Sequence, residues 1–317
     1  MSFADQVREE ILSKPIKERH CKIAFLAGIV RGTGVLFEKD EQLGIDFRVP
    51  SEECAFTVTM LLKSLFNYDV REVTVSENTL SKKDKFVISI FGKGALSVLK
   101  SLGILKEDED NYSVNFLMYN DITKNDCCLR AFMRGLFLAV GNCTVPSMGK
   151  KDIHTGYHLS LSFTHSAPAQ ATANKLAKLG ISPKIFRSKG NPVVYLKSAE
   201  DIKDFLAFLP APKAVLKITD LMINRELANN SNRQKNCDLG NLNRQIEAVA
   251  KQIDAINRIK EEKGLNSLKS ELYEVAVARL ENPDETLSEL AQRLNVSKSC
   301  LNHRLRKLVS IANGEER

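Results

Sequence analysis

The sequence predicts an α+β fold, a duplicated helix-strand-strand-helix-strand-strand-helix unit forming a pseudo-dimer, followed by an all-α domain with a helix-turn-helix. Three observations carry this. An apolar helix with a fixed glycine spacing occurs twice, with Gly28 and Gly34 in FLAGIVRGTGVL and Gly135 and Gly141 in FMRGLFLAVGNC. Similar strand and helix patterns follow each occurrence, and the segment 286–309 then changes to short amphipathic helices with a basic face. The expected divisions are a first repeat at 1–107, a second at 108–212, a linker at 213–240 and a helical domain at 241–317.

Behind the first apolar helix LGIDFRV alternates from Leu43 as a half-buried strand, and LSLSFTH does so from Leu159 behind the second. Helices are expected next at 54–65 and 169–179. REVTVSE and KFVISIF supply further strands in the first copy, PKIFRS and PVVYLKS in the second, with polar turns such as SKKDK and KGN between them and a closing helix after each. Glycines at this spacing on an apolar helix admit another backbone. The two duplicated helices should therefore pack on each other along a pseudo-twofold axis.

A Pro-flanked stretch at 209–213 leads into an Asn-rich run that reads as loop or linker. A long helix should follow, on which Leu242, Ile246, Val249, Ile253 and Ile256 repeat at steps of four and three. That stripe needs a partner, most simply a helix at 268–280 closed by Asn282-Pro283. Asn232, Arg233, Asn236, Asn241 and Arg244 gather amides and guanidinium groups that suit DNA phosphates or a protein partner as a secondary contact.

In 286–309, Leu287, Leu290, Ala291 and Leu294 form one apolar stripe, and Thr286 followed by Glu289 is a capping-box start. Asn295 and Val296 interrupt it, and Ser297 is a good N-cap for a second helix through Leu301, Leu305 and Leu308. At about 100° per residue those leucines cluster, leaving Ser299, Asn302, His303 and Arg306 opposite. Asn and Arg make bidentate contacts with adenine and guanine, while Lys298, Arg304 and Lys307 flank them where phosphates would pass. Ser297 and Arg293 complete the candidate DNA-binding set. From Arg293 to Lys307 every charged residue is basic. His303 has the chemistry of a metal ligand or general base, but no Cys/His pair with zinc spacing surrounds it, and Cys300 reads as a core thiol.

A chain of 317 residues that is 43% hydrophobic can bury a full core and hold two or three domains. Its net charge of +7 suits a partner with phosphates, although an acidic protein or a membrane surface would also fit. Seven cysteines, odd in number and scattered, do not form a disulfide framework and point to a reducing cytoplasm. The charged start MSFADQVREEILSKP is unlike a signal peptide, and no apolar run reaches the roughly 18 residues of a membrane span. The expected location is cytoplasmic and nucleoid-associated, with no cofactor, no metal and no membrane partner.

The duplicated unit resembles the LAGLIDADG homing endonucleases: LAGIVRGTG at Leu26 to Gly34 matches that motif at its first three positions and its last, and MRGLFLAVG at Met133 to Gly141 matches it more weakly. In that family an acid before the final glycine holds a divalent metal, and here Thr33 and Val140 stand there. Phosphodiester cleavage needs hard oxygen ligands, so no nuclease activity is expected, nor catalytic residues.

With the helix-turn-helix added, nearly the whole chain resembles the WhiA family of bacterial transcriptional regulators. The matching pieces are FLAGIVRGTG, RGLFLAVGNCTVP, YHLS, VYLKSAEDIKDFL, SNRQKNCDLGNLNRQIEA and SKSCLNHRLRKL. Cys300-Leu301 replaces an expected Gly-Val, and PAP at 210–212 replaces a Gly-Ala-His type turn. The resemblance implies a non-enzymatic regulator of double-stranded DNA, linked to cell division, chromosome segregation and, in spore-forming relatives, sporulation. The alternative is a protein-interaction or nucleoid-associated division factor, contacting a sigma factor, a division protein or another regulator, with weak DNA specificity.

Overall fold

The computed structural model describes residues 1–70, 73–76, 85–108, 111–116, 121–146 and 156–315. The chain divides into two compact units, Met1–Asn224 and Arg225–Arg317. In the first, helix α1 (Phe3–Leu12) is started by a reciprocal Ser2–Asp5 capping box. The first repeat then runs α2 (Arg19–Thr33), β1 (Val35–Lys39), β2 (Gln42–Val49), α3 (Glu52–Phe66), β3 (Val73–Ser76), β4 (Lys85–Phe91) and α4 (Lys93–Ser101). A hairpin of β5 (Leu105–Asp108) and β6 (Asn111–Val114) follows. The second repeat is α5 (Asp126–Val140), β7 (Gly141–Thr144), β8 (His158–Ser162), α6 (Ser166–Lys178), β9 (Lys184–Ser188), β10 (Asn191–Leu196) and α7 (Ala199–Phe208).

Both repeats form a four-stranded antiparallel sheet with the same order, β1-β2-β4-β3 and β7-β8-β10-β9. The expected alternation sets the register. Ile45 and Phe47 of β2 face Ile90 and Ile88 of β4, and Leu159 and Leu161 of β8 face Leu196 and Val194 of β10, all buried. A slip by one residue would turn each set out to solvent. The helix α1 and the β5-β6 hairpin lie outside the expected unit.

The two duplicated helices pack on each other at the centre of the core. A Cβ on Gly28 would lie 2.1 Å from the Phe132 carbonyl oxygen, and one on Gly135 would lie 2.0 Å from that of Phe25. Phe25 and Phe132, like Gly28 and Gly135, are equivalent positions of the repeats, so the contact is reciprocal. The second glycine of each pair has another task. Gly34 and Gly141 are the C-caps of α2 and α5, extended at ψ 137° and 138°, and turn the chain into the first strand of each sheet. Buried Arg31 anchors α2 by donating from Nη1 to the Leu102 carbonyl at 2.9 Å and from Nη2 to that of Gly103 at 3.2 Å. Desolvation lowers its pKa to about 10.

One expectation fails. The stretch at 213–240, read as a linker, is helical throughout, part of one helix α8 (Pro212–Glu262) of 51 residues. Pro212 opens it in the first turn, where proline is tolerated, and the rest of α8 holds no further proline and one glycine, Gly240. Each asparagine lowers helix propensity by at most about 0.7 kcal/mol relative to alanine, too little to break a cooperative helix rich in Leu, Lys, Arg and Gln. Its first N–H groups are also satisfied: the buried Glu10 carboxylate accepts from Lys213 N at 2.7 Å and from Ala214 N at 3.1 Å. The expected apolar stripe is only half right. Leu242 and Ile246 are 51% and 58% exposed, and the buried face begins at Gln252 and continues through Ala255, Ile256 and Ile259.

The second unit continues from α8 through a 3₁₀ turn (Leu265–Ser267) to α9 (Ser270–Glu281), α10 (Leu287–Arg293) and α11 (Lys298–Ala312). Its core joins Ile256 and Ile259 to Leu272, Val275, Leu290, Leu301, Leu305 and Leu308.

Candidate nucleic-acid interface

The helix-turn-helix is α10, a four-residue turn and α11. Thr286 Oγ1 accepts from Glu289 N at 3.3 Å while Glu289 Oε2 accepts from Thr286 N at 2.8 Å, and donation from Thr286, its backbone N–H foremost, holds the Glu289 carboxyl below its usual range. Asn295 takes the left-handed conformation at φ 53°, which Asn tolerates better than most residues, and the Val296 N–H returns to the Ala291 carbonyl at 2.9 Å. Ser297 then caps α11 by accepting from Cys300 N at 3.2 Å.

The three leucines of α11 are fully buried, and this fixes what the helix presents outward. Ser299, His303 and Arg306 are exposed and Asn302 half-buried, at i, i+4, i+7 and i+3 of one face. Ser297 and Lys298 are exposed at the start of the helix, and Lys307 is half-buried at its flank. Two of the residues expected at phosphates, Arg293 and Arg304, have acidic partners within the unit. The Arg293 guanidinium binds the Glu285 carboxylate through Nε and Nη2, which holds that carboxyl below its usual range, and Arg304 Nη2 lies 3.1 Å from Glu271 Oε2. Both acids lie upstream of the helix-turn-helix proper, outside the run that suggested an all-basic surface.

Sequence reasoning missed Arg279, whose side chain is fully buried. Its Nη1 donates to the Glu285 carbonyl at 2.8 Å, Nε and Nη2 have no hydrogen-bond partner among the described residues, and burial lowers its pKa. It lines a cavity of about 260 Å³ together with Arg244 and Gln252 of α8, Thr286, and Lys298 of α11. Arg244 is thereby placed beside the start of the second helix of the motif. Asn241 accepts from Arg244 Nη1 at 3.4 Å, whereas Asn232, Arg233 and Asn236 are exposed earlier on α8, away from that cavity.

In the first unit, the two helix ends that carry metal-binding acids in the endonucleases carry none. Thr33 Oγ1 donates to the Arg48 carbonyl at 2.6 Å, and Val140 packs against Gly32. A homing-endonuclease-like sheet resembles a DNA saddle, and the sequence suggests Lys82, Lys83, Lys85, Arg187, Lys189 and Lys197 as basic residues on its strands or turns; of these, Lys82 and Lys83 lie outside the described residues. Lys85 is exposed at the start of β4, Lys189 sits in the β9-β10 turn, Arg187 Nη2 donates to Ser166 Oγ at 3.4 Å, and Lys197 Nζ lies 5.5 Å from the Tyr195 ring centroid.

Although no metal ligands were expected, the structure gathers His20, Cys21, Cys127 and Cys128 at the starts of α2 and α5, with ligand atoms all within 4.8 Å of one another. Burial and the neighbouring thiols of Cys127 and Cys128 push the Cys21 thiol up to about 12. The signal available in the sequence was the duplication: His20 is as far from Cys127, and Cys21 from Cys128, as Gly28 is from Gly135.

Family models match three consecutive parts of the chain. These are the WhiA N-terminal LAGLIDADG-like domain over residues 19–105, the WhiA LAGLIDADG-like domain over 129–228 and the WhiA C-terminal HTH domain over 231–312. The "Probable cell division protein WhiA" of Clostridium novyi (strain NT) is 34% identical over 318 residues, 98% of each chain. The protein of that name from Latilactobacillus sakei subsp. sakei (strain 23K) is 33% identical, covering 99% of this chain and 98% of its own. The crystal structure of full-length WhiA from Thermatoga maritima superposes with a TM-score of 0.59 at 25% identity, over 99% of this chain and 98% of that one. Two LAGLIDADG-like repeats, a helix-turn-helix behind them and relatives matched from end to end lead to one assignment: the chain belongs to the WhiA family.

Proposed function

We propose that this chain is a sequence-specific DNA-binding transcriptional regulator linked to cell division, acting without nuclease chemistry. The observation that carries the reading is the outer face of α11, where Ser299, Asn302, His303 and Arg306 form one stripe backed by three fully buried leucines. A helix anchored on one side and polar on the other fits the major groove, where Arg306 pairs with guanine O6 and N7 and Asn302 with adenine N6 and N7. Ser297, Lys298 and Lys307 hold the flanking phosphates, and Arg244 adds a further phosphate contact from α8. Relatives matched over nearly their full length are called probable cell division proteins, which supports the link to division. Thr33 and Val140 support the absence of cleavage, because a hydroxyl bound to a carbonyl and an aliphatic side chain offer a divalent metal no carboxylate.

Electrophoretic shift with promoter and random DNA over a salt series tests this. A large preference for particular promoters is expected. A steep salt slope without preference would mean nucleoid association. No shift with either DNA would favour the second reading, a protein-docking factor for a sigma factor or a division protein. One observation supports that second reading: Leu239, Leu242 and Ile246 stand more than half exposed along α8.

A further inference from the structure

We propose that His20, Cys21, Cys127 and Cys128 form a mononuclear zinc site that ties the beginning of α2 to the beginning of α5. The geometry is already close to what the ion requires. His20 Nδ1 lies 3.1 Å from Cys128 Sγ and 3.3 Å from Cys21 Sγ, and all four ligand atoms fall within 4.8 Å of one another. Zn–S bonds of about 2.3 Å and a Zn–N bond of about 2.0 Å put the corners of a tetrahedron roughly 3.5 to 3.8 Å apart, so shifts of a few tenths of an ångström to about 1 Å close the set.

The donor types select the ion. Three thiolates and an imidazole suit zinc and not the hard cations held by carboxylates. The set is also distinct from the position of the endonuclease metals. His20 begins α2 and Thr33 ends it, so thirteen residues at about 1.5 Å each put nearly 20 Å of helix between them. A two-iron cluster divides its ligands between two metal atoms and needs a wider set. Four protein ligands leave no open position, which marks a structural and not a catalytic site.

Access and charge agree with this. Cys21 and Cys128 are buried while His20 and Cys127 are exposed, so the ion enters from one side. A groove of about 440 Å³ reaches Cys21 and Cys127, and its charged lining is Lys17, Arg130 and Arg134 against Glu18. Binding releases the three thiol protons to solvent and uses the lone pair of the neutral imidazole, giving a centre of net charge −1 inside a basic rim. Repeat symmetry explains how residues so distant in sequence meet, since each helix contributes the same two positions. The linkage closes a loop of more than one hundred residues.

The test is metal content of the full-length chain purified without chelators, together with cobalt replacement. One zinc per chain is expected, and the cobalt form should show the intense visible bands of a tetrahedral ion with thiolate charge transfer in the near ultraviolet. Cys21→Ser and the Cys127→Ser/Cys128→Ser pair should lose the metal, and His20→Cys should keep it with altered cobalt bands, which a merely unfolded chain would not do. Should the serine variants fail to fold, the wild-type cobalt spectrum decides alone. Zinc below about a tenth of an ion per chain, an octahedral cobalt spectrum, or a Cys21–Cys127 or Cys21–Cys128 disulfide in the fresh protein overturns the site.

Discussion

Replacing Gly28 with alanine tests the central contact of the duplicated domain. The added carbon would sit 2.1 Å from the Phe132 carbonyl oxygen and 2.9 Å from the Leu136 nitrogen, both backbone atoms. A carbon-oxygen contact settles at about 3.3 Å, so the helices must part by roughly 1 Å. Such a gap forfeits about a quarter to a half of each dispersion contact across it, and a buried leucine-sized side chain makes about 40 to 60 of these at about 0.1 to 0.2 kcal/mol. Phe25, Ile29, Phe132 and Leu136 flank the contact and all are buried. With shared contacts counted once, the loss is roughly 3 kcal/mol, of which the better helix propensity of alanine returns about 1. Urea unfolding followed by far-ultraviolet circular dichroism should show the first unit destabilised by about 2 kcal/mol. Gly135→Ala should behave alike, and because both methyls demand the same separation, the double variant should lose less than the sum. Gly240→Ala is the control: nothing lies within 4 Å of its added carbon, so the second unit should gain about 1 kcal/mol. If Gly28→Ala stabilises as Gly240→Ala does, the close packing of α2 on α5 is wrong.

In DNA binding, Asn302→Ala and Arg306→Ala should each lose roughly 1 to 3 kcal/mol against the preferred sequence with little change on random DNA, while Lys298→Ala and Lys307→Ala weaken both alike. Uniform loss in all four would void the assigned faces. Arg293→Ala should leave affinity within about twofold, because its guanidinium already binds Glu285, and a tenfold loss in shift assays would return it to the DNA contacts. Glu10→Ala removes the acceptor for two N–H groups at the start of α8 and should cost about 1 to 3 kcal/mol in urea unfolding, with a null effect contradicting the cap. Supercoiled plasmid incubated with the protein and Mg²⁺ should stay closed; Glu38 and Asp40 are the acids that follow shortly after α2, and nicking that disappears in Glu38→Ala or Asp40→Ala would overturn the non-nuclease reading.

What could be read from the sequence was whatever one period or one cap decides. Alternation placed β2 and β8, glycine spacing identified α2 and α5, and Thr286, Glu289 and Ser297 gave both caps of the helix-turn-helix. The Asn-rich part of α8 is polar without being irregular, because only proline or several glycines end a helix capped by Glu10 at such a distance. Arg293 and Arg304 looked free because their partners, Glu285 and Glu271, come from earlier segments. The thiol-imidazole cluster escaped for the same reason, as ligand-spacing rules search one stretch of chain at a time.

The mutual seating of Gly28 and Gly135 also has a price during synthesis. A ribosome adding about 5 to 20 residues each second delivers α5 some 5 to 20 s after α2, and until then the surface around Phe25 and Ile29 has no mate. The nascent first half must therefore be shielded from other chains by a chaperone, or wait as a partly ordered sheet. Rare codons before residue 126 would lengthen that wait and show up as insoluble product, while the finished protein would be unchanged.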